Sequence, residues 1–249
     1  AISPYLPPCQ AALRRRSMFS YTTSNSLAQS IDVPDAALLE MPDGMSPALV
    51  VERFDIRRGP ADQRRLAMED FCSILDLPAS AKYDGTIERM ARGLRPLSTD
   101  PASDLDILFR RGVFAWLIAD GDMHLKNLAV LKVAEVDAKA FTSVRFAPLY
   151  DAVTTRVFPG LGGDRMALKL NGKDDRLTRQ DFLALARTIG VSAGDAETAI
   201  ADLTARVADR AQGLQLPAFA AEAEAAKTAQ DKVIALVRER CTALAAEGD

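Results

Sequence analysis

The sequence has few of the residues that bind transition metals or form disulfide frameworks. Its 249 residues contain one histidine, His124, and three cysteines. Cys9, Cys72 and Cys241 are far apart and show no CxxC spacing. Zinc sites need several such ligands at close spacing, and small secreted domains carry more cysteines. The composition therefore argues against both classes and favours reduced, structural thiols.

Long hydrophobic runs are also missing. A transmembrane helix needs roughly 20 apolar residues, and the longest candidate, Val113–Ala119, is far shorter. Near the start, Pro4, Pro7 and Pro8 interrupt any apolar segment, and the basic run Arg14–Arg16 follows that segment instead of preceding it. Secretion signals have the opposite order. We therefore expect a cytoplasmic protein that makes no membrane contact.

The charge distribution gives no general reason to bind nucleic acid. The formal net charge is −3, whereas non-specific DNA binding depends on clustered lysine and arginine. Any DNA contact is therefore expected to be local or to come through a partner. Acidic residues and lysine are both absent before Asp32, so residues 1–30 differ from the rest of the chain. The hydrophobic content of 48% is ample for a globular core.

One short polar turn contains most of the candidate functional residues. The segment Ile118–Val130 (IADGDMHLKNLAV) places Asn127 five residues after Asp122, which is the catalytic-loop spacing of protein kinases. Alone, this spacing is weak support, because polar turns are common between helices and strands. Asp120, Asp122 and His124 also suggest a metallohydrolase cluster, but the chain has no second histidine.

Other segments make the motif more specific. There are four of them: Ala48–Asp55 (ALVVERFD), Met68–Phe71 (MEDF), Lys82–Gly85 (KYDG) and Ala147–Thr155 (APLYDAVTT). Taken in order with the polar turn, they resemble the C-terminal part of the HipA family of bacterial toxin kinases, from about Ile31 to the C-terminus.

The resemblance implies an α+β, protein-kinase-like fold. We expect an atypical segment at 1–30, a remnant of the N-lobe sheet with the interlobe hinge at 31–60, and a mostly helical C-lobe with short β-hairpins at 61–249. A family member would begin with a Gly/Ser-rich loop, a strand lysine and a helix glutamate. None of these is found before Asp32.

Apolar periodicity predicts the elements around the motif. The stripe in Ser103–Ala119 predicts a helix that leads into the polar turn. Strand-like segments at Leu128–Val133 and Phe141–Ala147 predict a hairpin. This hairpin is expected to bring Asp151 back towards Asn127.

Two further elements are predicted upstream. The Pro-Asp-Gly turn at Pro42–Gly44 predicts a hairpin between Ala36–Met41 and Ala48–Phe54. Asp62 is a candidate N-cap of a helix. Its apolar face would consist of Ala67, Phe71, Ile74 and Leu75, with Met68 also in the core.

The resemblance also implies roles for residues of the motif. Asp122 would accept a hydrogen bond from the incoming hydroxyl, and Asn127 and Asp151 would bind Mg²⁺. His124 stands two residues after the base, where protein kinases commonly place a lysine against the phosphate. It either contacts the phosphate or hydrogen-bonds to backbone and stiffens the loop. Lys126 is an alternative source of positive charge, although solvent exposure is the simpler expectation for it.

The nucleotide base would bind at the hinge. The resemblance places this hinge at Val51, Glu52, Arg53 and Phe54, with the adenine edge pairing to the backbone of Glu52 and Phe54. Asp120 stands where related sequences usually carry asparagine. A like charge two residues before the candidate base is expected to raise a carboxylate pKa.

Two functions remain open from the sequence. The resemblance implies a serine/threonine kinase toxin that uses ATP and Mg²⁺, phosphorylates a protein substrate such as an aminoacyl-tRNA synthetase, and is neutralised by a small DNA-binding antitoxin. DNA contact would then be indirect. The alternative is a catalytically inactive kinase remnant that acts as a protein-binding module, because the phosphate loop and its lysine are not found.

Overall fold

The computed structural model describes residues 31–42, 45, 47–58 and 63–246. Segment 1–30, Cys9, the turn residues Asp43 and Gly44, and the predicted cap Asp62 lie outside these ranges. The strands are β1 (Ala36–Leu39), β2 (Ala48–Val51), β3 (Ile56–Arg58), β4 (Gln63–Arg65), β5 (Ala67–Asp70), β6 (Ala129–Val133) and β7 (Ser143–Phe146). The helices are α1 (Phe71–Ile74), α2 (Ile87–Leu94), α3 (Pro101–Leu117), α4 (Arg179–Ile189), α5 (Ala193–Gln212) and α6 (Glu224–Ala246).

The N-terminal part consists of two small antiparallel hairpins. β1 pairs with β2 in a register that sets Ala36 opposite Val51, so the predicted hairpin is confirmed with shorter strands. β3 pairs with β4 in a second hairpin. Between the hairpins, the buried carboxylate of Asp55 accepts hydrogen bonds from Arg53 at 2.6 and 2.9 Å and from Arg65 at 3.2 Å. The ion pair with Arg65 connects β4 to the segment that links the two hairpins.

The helix predicted after Asp62 is wrong over most of its length. Residues 63–70 form strands β4 and β5. The backbone of β5 pairs with β6, 60 residues further along the chain, with Asp70 opposite Ala129. This long-range pairing overrides the local helical periodicity. Met68 is consequently 43% exposed instead of lying in the core, while Phe71, at the start of the short helix α1, is fully buried.

The predicted hairpin around residues 128–147 is confirmed. β6 pairs antiparallel with β7, with Val130 opposite Phe146, and the three strands form a sheet in the order β5-β6-β7. Beyond β7 the backbone stays close to this sheet, since the Ala147 N–H donates to the Ala129 carbonyl at 2.9 Å. The chain after the hairpin therefore returns to the polar turn that precedes it.

The predicted long helix is confirmed as α3. It begins at Pro101 after the N-cap Asp100, whose side chain accepts the Ser103 N–H, and its apolar side chains lie in the hydrophobic core. The guanidinium carbon of Arg240, in α6, lies 3.8 Å from the centre of the Trp116 ring, and the guanidinium group donates a hydrogen bond to the Trp116 carbonyl. The end of α3, which carries the polar turn, is thereby held against the last helix.

Small sheets beside a larger helical part make this an α+β fold. Cys72 and Cys241 are buried free thiols, as expected for structural cysteines. Within residues 31–246, apart from the short gaps, no helix is both long enough and apolar enough to cross a membrane.

Candidate active site

The polar turn after α3 is shaped by hydrogen bonds within itself. Ala119 has a left-handed backbone conformation with φ of 56°, which turns the chain out of the helix. Asn127 is 6% exposed, and its side-chain Nδ2 donates to the Asp122 carbonyl at 2.9 Å. This bond ties together the two residues of the kinase-like spacing. It also uses the amide nitrogen, so the amide oxygen of Asn127 is the atom left for a cation.

Asp122 presents its carboxylate at the surface of the turn. Its side chain is 38% exposed, and Oδ1 accepts a hydrogen bond from the Tyr83 hydroxyl at 2.6 Å. That hydrogen bond raises the pKa of Tyr83 to about 12, so the tyrosine remains a donor at neutral pH. With one oxygen held by Tyr83, the carboxylate has a fixed orientation and a second oxygen available to an acceptor hydroxyl.

Asp120 is a buried carboxyl group beneath the turn. It is 3% exposed and accepts the Asp122 N–H at 3.0 Å, and the backbone of Val153 also hydrogen-bonds to it. Burial raises the pKa of Asp120 to about 7, and the carboxylates of Asp122 and Asp151 add to the rise. The raised pKa matches the expectation from sequence. The carboxyl group links the turn to the segment that follows Asp151.

We expect Asp120→Asn to stabilise the protein at high pH. The pKa of Asp120 is raised from 3.8 to about 7 on folding. As pH rises, the carboxyl group therefore ionises in the unfolded chain at a lower pH than in the folded chain. The stability associated with the protonated form is fully present below about pH 3.8 and is lost as pH rises through about 7. An amide cannot ionise, and it retains an oxygen for the same backbone donors. At pH 8 the free energy of unfolding should rise by about 2–4 kcal/mol.

Urea unfolding of Asp120→Asn and of the unaltered chain at pH 4 and pH 8 measures this difference. The gain should be small at pH 4 and large at pH 8. Asp137→Asn, in an exposed loop, is the matched control and should show neither gain. An equal change at both pH values would contradict a raised pKa at Asp120.

His124 lies inside the site instead of on its surface. It is 4% exposed, and its Nε2 lies 2.8 Å from the Lys82 Nζ. Burial lowers the pKa of His124, so the ring is neutral and accepts from the lysine. Its Nδ1 has no hydrogen-bond partner among the described residues. The imidazole of His124 therefore contacts the side chain of Lys82 directly.

Lys126 is engaged by a carboxylate outside the turn. Its Nζ lies 2.6 Å from the Asp70 Oδ2, and Asp70 also caps α1 by accepting the Ser73 N–H. The side chain of Lys126 is 40% exposed, in line with the exposure expected from the sequence, and its ammonium group is paired with Asp70. We assign Lys126 to holding the turn against β5, because its charge is already matched there.

Asp151 reaches the turn from the segment after β7. Its φ is 56°, and its side chain is exposed. The preceding residue, Tyr150, donates its hydroxyl to the Lys126 carbonyl at 3.0 Å. The Asp151 charge raises the pKa of both Asp120 and His124, although burial is the largest influence on each. The segment after the hairpin thus brings Asp151 close to the polar turn.

The donor set suits Mg²⁺ better than a transition metal. In the described part of the chain, no group of three or more His, Cys, Asp or Glu residues could hold a metal ion. The Asn127 amide oxygen and the Asp151 carboxylate are both hard oxygen donors. Mg²⁺ commonly takes only one or two protein carboxylates and fills its other positions with water and phosphate oxygens. The two residues therefore fit this cation.

The predicted hinge follows β2 directly. Val51 is the last residue of that strand. The Glu52 N–H donates to the Asp35 carbonyl at 2.7 Å, so it is already used within the hairpin. The Glu52 carbonyl is then the backbone group of this residue that can accept a hydrogen bond from the amino group of adenine.

The rest of the predicted hinge contacts the segment that follows β7. The side chain of Arg53 is paired with Asp55. The Phe54 ring packs against the Tyr150 ring with centroids 5.6 Å apart. Since Tyr150 precedes Asp151, hinge and candidate metal ligand are joined by one aromatic contact.

Two residues of the KYDG segment enter the site without having been predicted to do so. Lys82 contacts His124, and Tyr83 contacts Asp122. The segment is docked by the Lys82 carbonyl, which accepts the Leu125 N–H at 3.0 Å. A Cβ at Gly85 would lie 2.7 Å from the Leu125 side chain. The motif was visible in the sequence, but its partners were not.

A second unpredicted contact closes the other side of the turn. The Gly121 N–H donates to the Thr155 Oγ1 at 3.1 Å, and that hydroxyl donates to the Ala119 carbonyl. A Cβ at Gly121 would lie 2.1 Å from the Asp164 Oδ2. A side chain at this position would therefore force the side chains of Asp164 and Thr155 to move, because the segment after Asp151 packs directly on the turn.

Relatives by sequence include two proteins of Sinorhizobium fredii. One, named Putative kinase Y4mE, is 31% identical over 173 residues, which is 66% of this chain and 39% of that protein. The other, Y4dM, bears the same kind of name and is 33% identical over 111 residues, which is 41% of this chain and 26% of that protein. The chain therefore spans well under half the length of either relative.

Solved structures that share the fold include two kinase-like proteins. HipA of Shewanella oneidensis, solved with HipB and operator DNA, matches with a TM-score of 0.69 and 18% identity, over 88% of this chain and 54% of that one. The Helicobacter pylori proinflammatory kinase CtkA matches with a TM-score of 0.53 and 13% identity, over 88% and 79%. The family model of the HipA-like C-terminal domain matches residues 19–211. Because that match covers most of the sequence, the chain belongs to the HipA-like C-terminal domain family.

Proposed function

We propose that the chain carries the catalytic turn of an ATP- and Mg²⁺-dependent serine/threonine protein kinase of the HipA type. The observation that supports this best is the hydrogen bond from the Asn127 side chain to the Asp122 carbonyl. It holds a surface carboxylate and a buried amide oxygen in a fixed relation. Phosphoryl transfer needs one group that orients the acceptor hydroxyl and another that binds the metal, and both must keep fixed positions.

In the proposed reaction, the acceptor hydroxyl donates a hydrogen bond to the Asp122 oxygen that Tyr83 leaves available. Its oxygen forms a bond to the γ-phosphorus while the bond from that phosphorus to the β–γ bridging oxygen breaks. ADP leaves, and the hydroxyl proton passes to the Asp122 carboxylate. Tyr83 keeps the carboxylate oriented throughout, because its hydroxyl already occupies Oδ1.

The metal would be held by the Asn127 amide oxygen and the Asp151 carboxylate. Bound there, Mg²⁺ would neutralise charge on the nucleotide phosphates. The hinge supports the nucleotide base from the other side, with the Glu52 carbonyl and the Phe54 backbone as partners for adenine. The Phe54–Tyr150 ring contact joins these two parts of the proposed site.

Calorimetry tests the metal assignment. We expect ATP to bind more tightly with Mg²⁺ than without it, and Asp151→Asn to lose that difference, because an amide is a weaker ligand for a hard cation than a carboxylate. Asp137→Asn, a remote exposed aspartate, should retain it. Equal ATP affinity with and without Mg²⁺ in the unaltered chain would contradict the metal site.

The substrate and partners follow from the family. We infer a protein substrate with a serine or threonine hydroxyl, for which the family suggests an aminoacyl-tRNA synthetase. The Shewanella HipA structure contains HipB and operator DNA, and this supports a small DNA-binding antitoxin as partner here, with DNA reached only through it. A cytoplasmic location fits such partners.

An inactive, protein-binding remnant is the second candidate function. It would apply if the complete protein does not supply the lysine–glutamate pair with which kinases hold the phosphates. The calorimetric experiment separates the two functions. Magnesium-dependent ATP binding supports the kinase, and its absence supports the remnant.

A further inference from the structure

The kinase proposal leaves one requirement unmet, namely a positive charge at the transferring phosphate. Protein kinases commonly provide it with a lysine two residues after the base, and this chain has His124 there. His124 is buried and contacts the Lys82 Nζ at 2.8 Å. We propose that Lys82 is the catalytic cation that contacts the transferring phosphate, and that His124 holds it in position. This inference rests on the proposed kinase function.

The placement of Lys82 supports the role. Its backbone is anchored to the turn through the Leu125 N–H, so it moves with the catalytic residues. Its Nζ lies 4.8 Å from the centre of the Tyr83 ring, whose hydroxyl is bonded to Asp122. The His124 Nε2 is 3.8 Å from the Asp122 Oδ1. The ammonium group therefore belongs to the same small cluster as the candidate base.

The partner of Lys82 distinguishes it from the neighbouring lysines. Lys126 is matched by Asp70 and Lys132 by Glu69. Lys82 contacts the imidazole of His124 and the Tyr83 ring, and within the described ranges no carboxylate pairs with it. An ammonium group held by a neutral ring keeps its full charge for an anion. It also keeps two of its three N–H donors.

The contact also defines the state of the histidine. A lysine ammonium can only donate, so the Nε2 of His124 accepts and the neutral ring carries its proton on Nδ1. Because its ring is buried and its Nε2 is occupied by the Lys82 Nζ, His124 is the holder of Lys82 and not the group that contacts the phosphate.

Nucleotide affinity tests the role of Lys82 in the 249-residue chain. We expect Lys82→Met to weaken MgATP binding about tenfold to a hundredfold, the loss expected for a charged hydrogen bond, and to change MgADP binding only a few-fold. Lys82→Arg should restore part of the preference for ATP. Lys139→Met removes an exposed lysine and should leave both affinities unchanged. Loss of the preference in Lys126→Met, but not in Lys82→Met, would overturn the inference.

Nuclear magnetic resonance tests the geometry without nucleotide. Because His124 is the only histidine, its ring nitrogens give a single set of ¹⁵N signals. The unaltered chain should show the Nδ1–H tautomer, and Lys82→Met should shift the Nε2 signal while Lys139→Met should not. An Nε2-protonated ring, or a signal unaffected by Lys82→Met, would overturn the inference.

The two experiments separate this inference from the kinase proposal. If the unaltered chain binds no nucleotide with Mg²⁺, the kinase function and the role of Lys82 both fail. If it binds MgATP in preference to MgADP and Lys82→Met retains that preference, only the role of Lys82 fails. Loss of the preference together with the expected ¹⁵N shift supports both.

Discussion

Asp122→Asn is expected to reduce phosphoryl transfer by about 10²–10⁴-fold, the range for loss of a positioned general base. The experiment uses a version extended upstream by a family-like phosphate loop and lysine. Nucleotide affinity should stay within a few-fold, because the base acts mainly in the transition state. The substitution preserves the local structure: the residue 122 carbonyl still accepts from Asn127, and an amide oxygen can still accept from Tyr83.

Steady-state kinetics with a protein substrate, together with calorimetry for MgATP, measure the two quantities. Asp84→Asn is the control, because Asp84 is an exposed carboxylate of the neighbouring segment and should leave transfer unchanged. Loss of MgATP binding in Asp122→Asn, with an unchanged circular dichroism spectrum, would show that Asp122 is a metal ligand or a structural residue and not the base.

A polypeptide of these 249 residues alone is expected to transfer phosphate at a rate near background. No lysine precedes Lys82, and no Gly/Ser-rich phosphate loop is found before Asp32. Removal of a single hydrogen-bond donor to a transition state typically costs about 10²–10³ in rate. The phosphates here lack several donors and the strand lysine. Lys82 supplies one positive charge next to the catalytic turn, but it does not replace the phosphate loop or the strand lysine.

Labelled ATP, Mg²⁺ and candidate synthetases, incubated with the 249-residue chain and with the extended version, provide the measurement. Only the extended version should label a substrate. An extended version whose added lysine is replaced by methionine is the control and should fall back towards the short chain. Robust labelling by the short chain would contradict the expectation and would mean that residues 1–30 contribute to nucleotide binding.

The sequence was sufficient where a structure depends on near neighbours. The apolar stripe of Ser103–Ala119 predicted helix α3, and the strands on either side of residues 134–142 were predicted as a hairpin. Both predictions rest on side-chain periodicity, which reflects how residues close together in the sequence pack. The Asp122–Asn127 pairing was readable for the same reason, since five residues separate the groups and one turn connects them.

The sequence failed where distant backbone decides the structure. Residues 63–70 were predicted as part of a helix because Phe71, Ile74 and Leu75 have helical spacing. Their true partner is β6, about 60 residues away, and no local pattern records that pairing. The exposed position of Met68 follows from the same error, because a strand sends alternate side chains to opposite faces.

By itself, the sequence determined the family, the helices with clear periodicity, and the identity of the candidate base and metal ligands. Tertiary structure alone decided which groups act together. Lys82 and His124 are 42 residues apart, Tyr83 and Asp122 are 39 apart, and Lys126 and Asp70 are 56 apart. Contacts between residues so far apart in the sequence form only when the chain has folded. No local sequence pattern therefore indicates which side chain a given charge will meet.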